Sequence, residues 1–402
     1  MNRYITIHIK KNTWPGANQL PVFPANFHSG IATSDINIPS MLLMIGYLTT
    51  PTASTGVSLS EFWAWVRYLA AVTNETDLRL TSSFADLDAH QKTILSDDFG
   101  MGVPMLWLQQ RLDFDRIVDG SYFMRRVAAS LNAIQRRTAK RGPNKTPDFV
   151  ARDTSGIWHV IECKGTQSGT EYSKKQLGEA GPPPTGGIAQ KRSIVFPPSH
   201  TGQRLVCGLS IGVENGANSR LTIIDPDPED PFKVDASQIY LADDAAARGV
   251  TSKALRLAGY EVTADATASP LGASPGSTRS RFRRQEDARQ KFVDERDFRA
   301  REELSRSETR FFFDGEYSGR ELHFVLPRPI IIEEDQVTRV ILRQGINKNF
   351  LDQLRERPTF DEPNFDAAID IGASSDKSVS AADARTASMN IGKIFRSELI
   401  LD

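Results

Sequence analysis

Three side chains carry the clearest chemistry in the sequence. Asp148 follows Pro147, and Glu162 and Lys164 flank Cys163, all within "TPDFVARDTSGIWHVIECKGTQ" at 146–167. Charges inside an apolar run need partners or a task. Side chains alternate along a strand, so Glu162 and Lys164 share a face while Ile161 and Cys163 point the other way. "DFVARD" and "IWHVIECK" read as two strands turned at "TSG", and that hairpin brings Asp148 towards Glu162. Two hard carboxylates at one point suit Mg²⁺ (or Mn²⁺), which keeps several waters and shares phosphate oxygens. Such an ion stabilises charge on a scissile phosphate and acidifies a bound water. Lys164 alongside would orient that water, help deprotonate it or stabilise the oxyanion. The rival reading is a structural ion pair at a strand end. The "HVIEC" run argues for burial, where an idle trio of charges is costly.

The pattern resembles the PD-(D/E)xK nucleases, the restriction-endonuclease-like superfamily. The matching residues are Pro147 and Asp148, then Glu162-Cys163-Lys164 with apolar residues before and Gly165 after. Of the 15 lysines, Lys164 alone has an acid two positions before it, which narrows an otherwise loose pattern. The resemblance spans roughly residues 60–245. It implies a central mixed sheet flanked by helices and Mg²⁺-dependent hydrolysis of phosphodiesters, most often in DNA. It places the metal carboxylates at Asp148 and Glu162, the catalytic lysine at Lys164, and a backbone-carbonyl ligand at Cys163. Many members add an upstream acid. Asp97 and Asp98 in "LSDDFGMGV" compete for that place, with Asp98 the expected ligand, although the usual Glu is absent and "SDD" is also a helix-cap signal. Some relatives carry Gln or Lys on the helix after the core strand. "GGIAQKRSI" offers Gln190 for the chemistry and Lys191 for the nucleic acid, with Gln176 of "SKKQL" as a rival.

Composition sets the surroundings. The formal charge of −1 advertises no polyanionic partner, but residues 111–145 hold nine Arg or Lys against three Asp. Arg125, Arg126, Arg136 and Arg137 flank or oppose an apolar stripe of Phe123, Val127, Leu131 and Ile134, as phosphate contacts or as a solvated helix face. Two cysteines without a CxxC fit a reducing, cytoplasmic compartment. No apolar run approaches a membrane span; "MLLMIGYL" is far too short. No GxxxxGK[ST] occurs, so no ATP-driven motor is encoded.

These elements predict an α/β protein with a restriction-endonuclease-like core at 57–245. An N-terminal extension (1–56) precedes it, with a strand at "YITIHIKK" and loop from there to about residue 40. A helix, linker and charged arm (246–308) and a small C-terminal module (309–402) follow. "FGMGVPMLWLQQRL" reads as a helix with Pro104 in its first turn, and "ADDAAARGVTSKALRLAGYEV" as a helix and then a short strand. The expected function is a Mg²⁺-dependent nuclease acting on DNA, with prokaryotic defence against foreign DNA as the family analogy. The alternative is an inactive nuclease-like scaffold binding nucleic acid or a protein. A homo-oligomer or a partner subunit is open in either case.

Overall fold

The structure is a computed structural model that describes residues 1–52, 67–130, 146–179, 194–225, 232–268, 283–306, 310–332, 334–356, 360, 379–381 and 384–402. Its centre is a seven-stranded mixed sheet flanked by helices. The strands are β1 (Asn2–Ile9), β2 (Gly30–Asn37), β3 (Phe114–Asp119), β4 (Phe149–Asp153), β5 (Trp158–Thr166), β6 (Thr201–Ser210) and β7 (Arg220–Ile224). They lie in the order β2-β1-β7-β6-β5-β4-β3. β1 runs parallel to β7 and β5 parallel to β6; the other neighbours are antiparallel. β1 alternates, burying Ile5, Ile7 and Ile9. β5 is buried on both faces, as befits a strand in mid-sheet, and Glu162 sits inside that buried run.

Two helices cover opposite faces of β5 and β6. Helix α2 (Ala89–Leu112) comes down on Gly165, and α4 (Thr170–Leu177) on Gly208, while register sets Gly165 opposite Leu209 and Lys164 opposite Gly208. Asp88 caps α2 by accepting the His90 and Gln91 N–H groups. The helix therefore begins ten residues before Phe99, and Pro104 lies inside it rather than in its first turn. An effective cap upstream outweighs the start signal of a proline.

The chain divides differently from the sequence expectation. The described part of the expected extension, residues 1–52, is no appendage: β1 and β2 belong to the central sheet, and α1 (Ile38–Thr49) packs against α2. "GIATSDIN" has a weak strand signal of small and polar residues, and pairing with β1 decides its conformation. Helix α5 (Ile239–Ala258) crosses the expected boundary at 245 and is buried along most of its length. It stops at Gly259, φ 99°, and "EV" opens a second helix, α6 (Glu261–Ala268), not a strand. The deciding contact is remote: the Glu303 carboxylate, on α7 (Arg283–Arg306), accepts the Val262 and Thr263 N–H groups and caps α6 from outside.

The C-terminal region is a six-stranded antiparallel sheet. Its strands are β8 (Arg310–Phe312), β9 (Tyr317–Ile332), β10 (Asp335–Asn347), β11 (Val379–Ala381), β12 (Thr386–Ile391) and β13 (Phe395–Leu401), in the order β8-β9-β10-β13-β12-β11. It shares one apolar core with the rest. Tyr47 of α1 meets Phe395 at 6.0 Å between ring centroids, and the Arg248 guanidinium of α5 donates to the Phe360 carbonyl at 2.8 Å. Among the described residues no helix is long and apolar enough to cross a membrane.

Candidate active site

The β4–β5 hairpin is tied at its turn by Asp153, whose carboxylate accepts the Ser155 and Ile157 N–H groups, each at 2.9 Å. Gly156, at φ 80°, supplies the left-handed step. Backbone pairing runs from Arg152–Trp158 to Phe149–Ile161. Side chains then replace the ladder. The Asp148 N–H donates to Glu162 Oε2 at 3.1 Å, and the Cys163 N–H donates to Asp148 Oδ2 at 2.8 Å. Each acid is thus held by the backbone of the opposite strand. Lys164 Nζ is bonded to Glu162 Oε1 and stands 3.9 Å from Asp148 Oδ2. Both carboxylates converge on one ammonium, as the sequence pattern requires.

Neighbouring elements fix the arrangement. Helix α3 (Gly120–Ser130) starts against Asp148, whose carbonyl accepts the Gly120 N–H at 2.8 Å. A Cβ on Gly120 would lie 2.0 Å from the Pro147 carbonyl oxygen, so only glycine fits. On the other side α2 and β5 touch backbone to backbone. A Cβ at Gly165 would fall 1.7 Å from the Ser96 carbonyl oxygen, and one at Gly100 2.5 Å from the Gly165 nitrogen. That close crossing carries Asp97 within electrostatic reach of Lys164 and Asp148.

Electrostatics set this cluster apart. Glu162 is fully buried, on the face of Val206, which packs with Leu177 and Ile224. Burial, and then the Asp148 charge, push its pKa up to about 8 against the pull of Lys164. Asp148 is raised by burial, with Asp97 adding to the rise while Lys164 and the Cys163 N–H oppose it. Asp97 is raised by burial as well, with Lys164 opposing. Burial works against the charge of Lys164, but Asp148 and Glu162 outweigh it and its pKa rises. Among the described residues these three acids share one ammonium, and a further cation would relieve all three.

Asp98, the expected ligand, turns away: its Oδ2 accepts the Tyr68 hydroxyl at 2.6 Å, and Asp97 faces the site instead. One residue along a helix is about 100° of rotation, enough to exchange their roles. The Cys163 side chain is buried beside its register partner Cys207; both thiols are free, and burial holds the Cys163 thiol well above its ordinary range. Arg125 is exposed on α3 and donates to the Ser121 carbonyl, whereas Arg126 is half-buried on the same helix near Tyr122. Arg136, Arg137, Gln190 and Lys191 lie outside the described residues. Gln176 of α4 lines a cavity together with Asp97.

The donor set fits a hard divalent cation. Asp148 and Glu162 supply carboxylate oxygens, with Asp97 beside them. Among the described residues no group of three His, Cys, Asp or Glu side chains is placed to hold a metal ion, so any ion here would rest on the two carboxylates of the hairpin. An Mg²⁺ held by one or two carboxylates completes its shell with water and phosphate oxygens. Compared with protein-family models, curated proteins and solved structures, the chain gives no match.

Proposed function

We propose that this chain is a Mg²⁺-dependent nuclease with a restriction-endonuclease-like core, hydrolysing phosphodiester bonds in nucleic acid, DNA foremost. The observation that supports it is the convergence of Asp148 and Glu162 on Lys164, with Asp97 as a third acid. Asp148 and Glu162 would hold the ion, joined by the Cys163 carbonyl, with Asp97 as a supporting charge. When bound, the ion supplies charge neutralisation at the phosphate and a more acidic water. The chain's own residues do the rest. With an ion bound, Glu162 would be held as the carboxylate, because the added positive charge would offset the burial that raises its pKa. Lys164, once part of its pairing with Glu162 is relieved, would hold its ammonium near the attacked phosphate and donate to the phosphoryl oxygen that gains charge. Arg125, exposed on the helix whose Gly120 N–H donates to the Asp148 carbonyl, would contact a neighbouring phosphate.

The test is incubation with plasmid and with single-stranded substrates plus Mg²⁺ or Mn²⁺. Wild type should cut, chelator should stop it, and Glu162→Gln and Lys164→Ala should be inert. Equal cutting by wild type and Glu162→Gln would end the assignment. A second reading, a non-cutting scaffold, draws on the engagement of Glu162 by Lys164 and the Asp148 N–H. Chelator-insensitive DNA binding without cleavage under any metal would select it.

A further inference from the structure

Where β5 ends, a cavity of about 320 Å³ opens between α2 and α4. Asp97 and Gly165 form its border with the candidate active site, and Gln167, Tyr172 and Gln176 line it further out. We propose that this cavity is a nucleobase subsite that takes one unpaired base of the strand being cut. The inference rests on the nuclease reading and deepens it by naming the substrate class.

Three observations carry it. Tyr172 and Gln176 stand one turn apart on α4, while Ser173 and Leu177 of the same helix pack against Gly208 and anchor it to the sheet. The cavity-facing pair is therefore presented from a fixed support. Gln176 Oε1 is buried and meets no hydrogen-bond donor among the described residues. A buried amide oxygen without a donor carries a penalty that an N–H from a ligand removes. Tyr172 is 48% exposed, an aromatic face offered at the rim. Gln167 closes the α2 side, its Nε2 donating to Ser96 Oγ at 3.2 Å and to the Lys92 carbonyl at 3.4 Å.

A ligand matching these features is planar, has a π-face for Tyr172 and an N–H edge for Gln176, and reaches a phosphate beside Lys164 through a short linker. A nucleotide meets all four conditions. All four DNA bases carry an N–H on the pairing edge, so one acceptor tolerates any sequence. In a duplex that edge and both faces are occupied, so the base must be unpaired, from a single strand, a frayed end or a flipped nucleotide.

The experiment uses the full chain in chelator and ligand-observed NMR with neutral probes: the deoxynucleosides against 2-deoxyribose. Wild type should bind the nucleosides at least about fivefold more tightly than the sugar, the advantage one stacked base confers. Tyr172→Ala, at an exposed position, should erase the difference, and Gln176→Leu should reduce it. Equal binding of nucleoside and sugar by wild type, or an unchanged preference in Tyr172→Ala, overturns the subsite. Because no metal or cleavage enters this readout, the nuclease reading is judged separately by cutting in Glu162→Gln. Loss of cutting in that variant alongside no base preference would remove the subsite alone.

Discussion

Two clusters of charge in this molecule use the same ingredients with opposite balance. In the C-terminal sheet Arg343 of β10 lies in register between Glu321 of β9 and Glu398 of β13. It donates to Glu321 at 2.7 Å and to Glu398 at 2.9 Å, while His323 and Arg310 also approach Glu321, at 2.8 and 3.9 Å. Hydrogen bonds from Arg343 and His323 hold Glu321 below its ordinary pKa, and the bond to Glu321 raises Arg343. At the end of β5, Asp97, Asp148 and Glu162 are all raised. Glu162 is fully buried where Glu321 and Glu398 keep some solvent, and among the described residues one ammonium serves three acids. Charges kept for structure are matched by the fold. A surplus of one sign gathered on a buried carboxylate marks a place where the opposite charge arrives from outside.

The largest expected effect separates the clusters by activity. Lys164→Ala or Glu162→Gln should lower the cleavage rate by about a thousandfold, the scale of a lost acid–base or electrostatic group. Arg343→Met should leave that rate unchanged. Next come two glycines with equally tight surroundings. Gly165→Ala would set a Cβ 1.7 Å from the Ser96 carbonyl oxygen, and Gly319→Ala one 1.9 Å from that of Gln344. Each should cost about 1–3 kcal/mol in denaturant unfolding. Only Gly165→Ala, which pushes α2 and Asp97 away from Lys164, should also slow cleavage.

Asp97 and Asp98 sharpen the comparison further. Asp97→Asn should weaken metal affinity about tenfold, the lower end for a group supporting a metal site. Asp98→Asn should leave affinity intact and cost about 1 kcal/mol through its bond to Tyr68. Proton linkage gives a smaller effect. Glu162 keeps its proton to about pH 8 in the folded chain against an ordinary value of 4.5. Between these values the metal-free folded state binds more protons than the unfolded chain, so its stability falls as pH rises. Thermal melts in chelator should therefore show Glu162→Gln gaining a few degrees over wild type from pH 5 to pH 8. Added Mg²⁺ should stabilise wild type at pH 8 and not the variant. Smallest of all, Arg343→Met should cost at most about 1 kcal/mol, as partly exposed ion pairs do.

The hairpin was legible because its signals are local. Alternation placed Glu162 and Lys164 on one face, and the "TSG" turn set the register that brings Asp148 across from Glu162. The choice between Asp97 and Asp98 depends instead on how α2 is rotated against β5. A signal was present, since Ser96 and Gly100 are small residues one turn apart, the pattern that lets a helix approach a glycine strand. β2 and α6 were missed for a related reason. β2 takes its conformation from pairing with β1, and α6 is capped by Glu303 some forty residues away. Neither contact is visible in the local sequence.

The most direct measurement is a Mn²⁺ titration at pH 8.5, following the free ion by electron paramagnetic resonance, on wild type, Glu162→Gln and Glu321→Gln. Saturable binding by wild type, at least tenfold weaker in Glu162→Gln and unchanged in Glu321→Gln, is the predicted result. Wild type that binds no Mn²⁺, or Glu162→Gln that binds it as well as wild type, would contradict the claim that the acid surplus at the end of β5 is built for a metal ion.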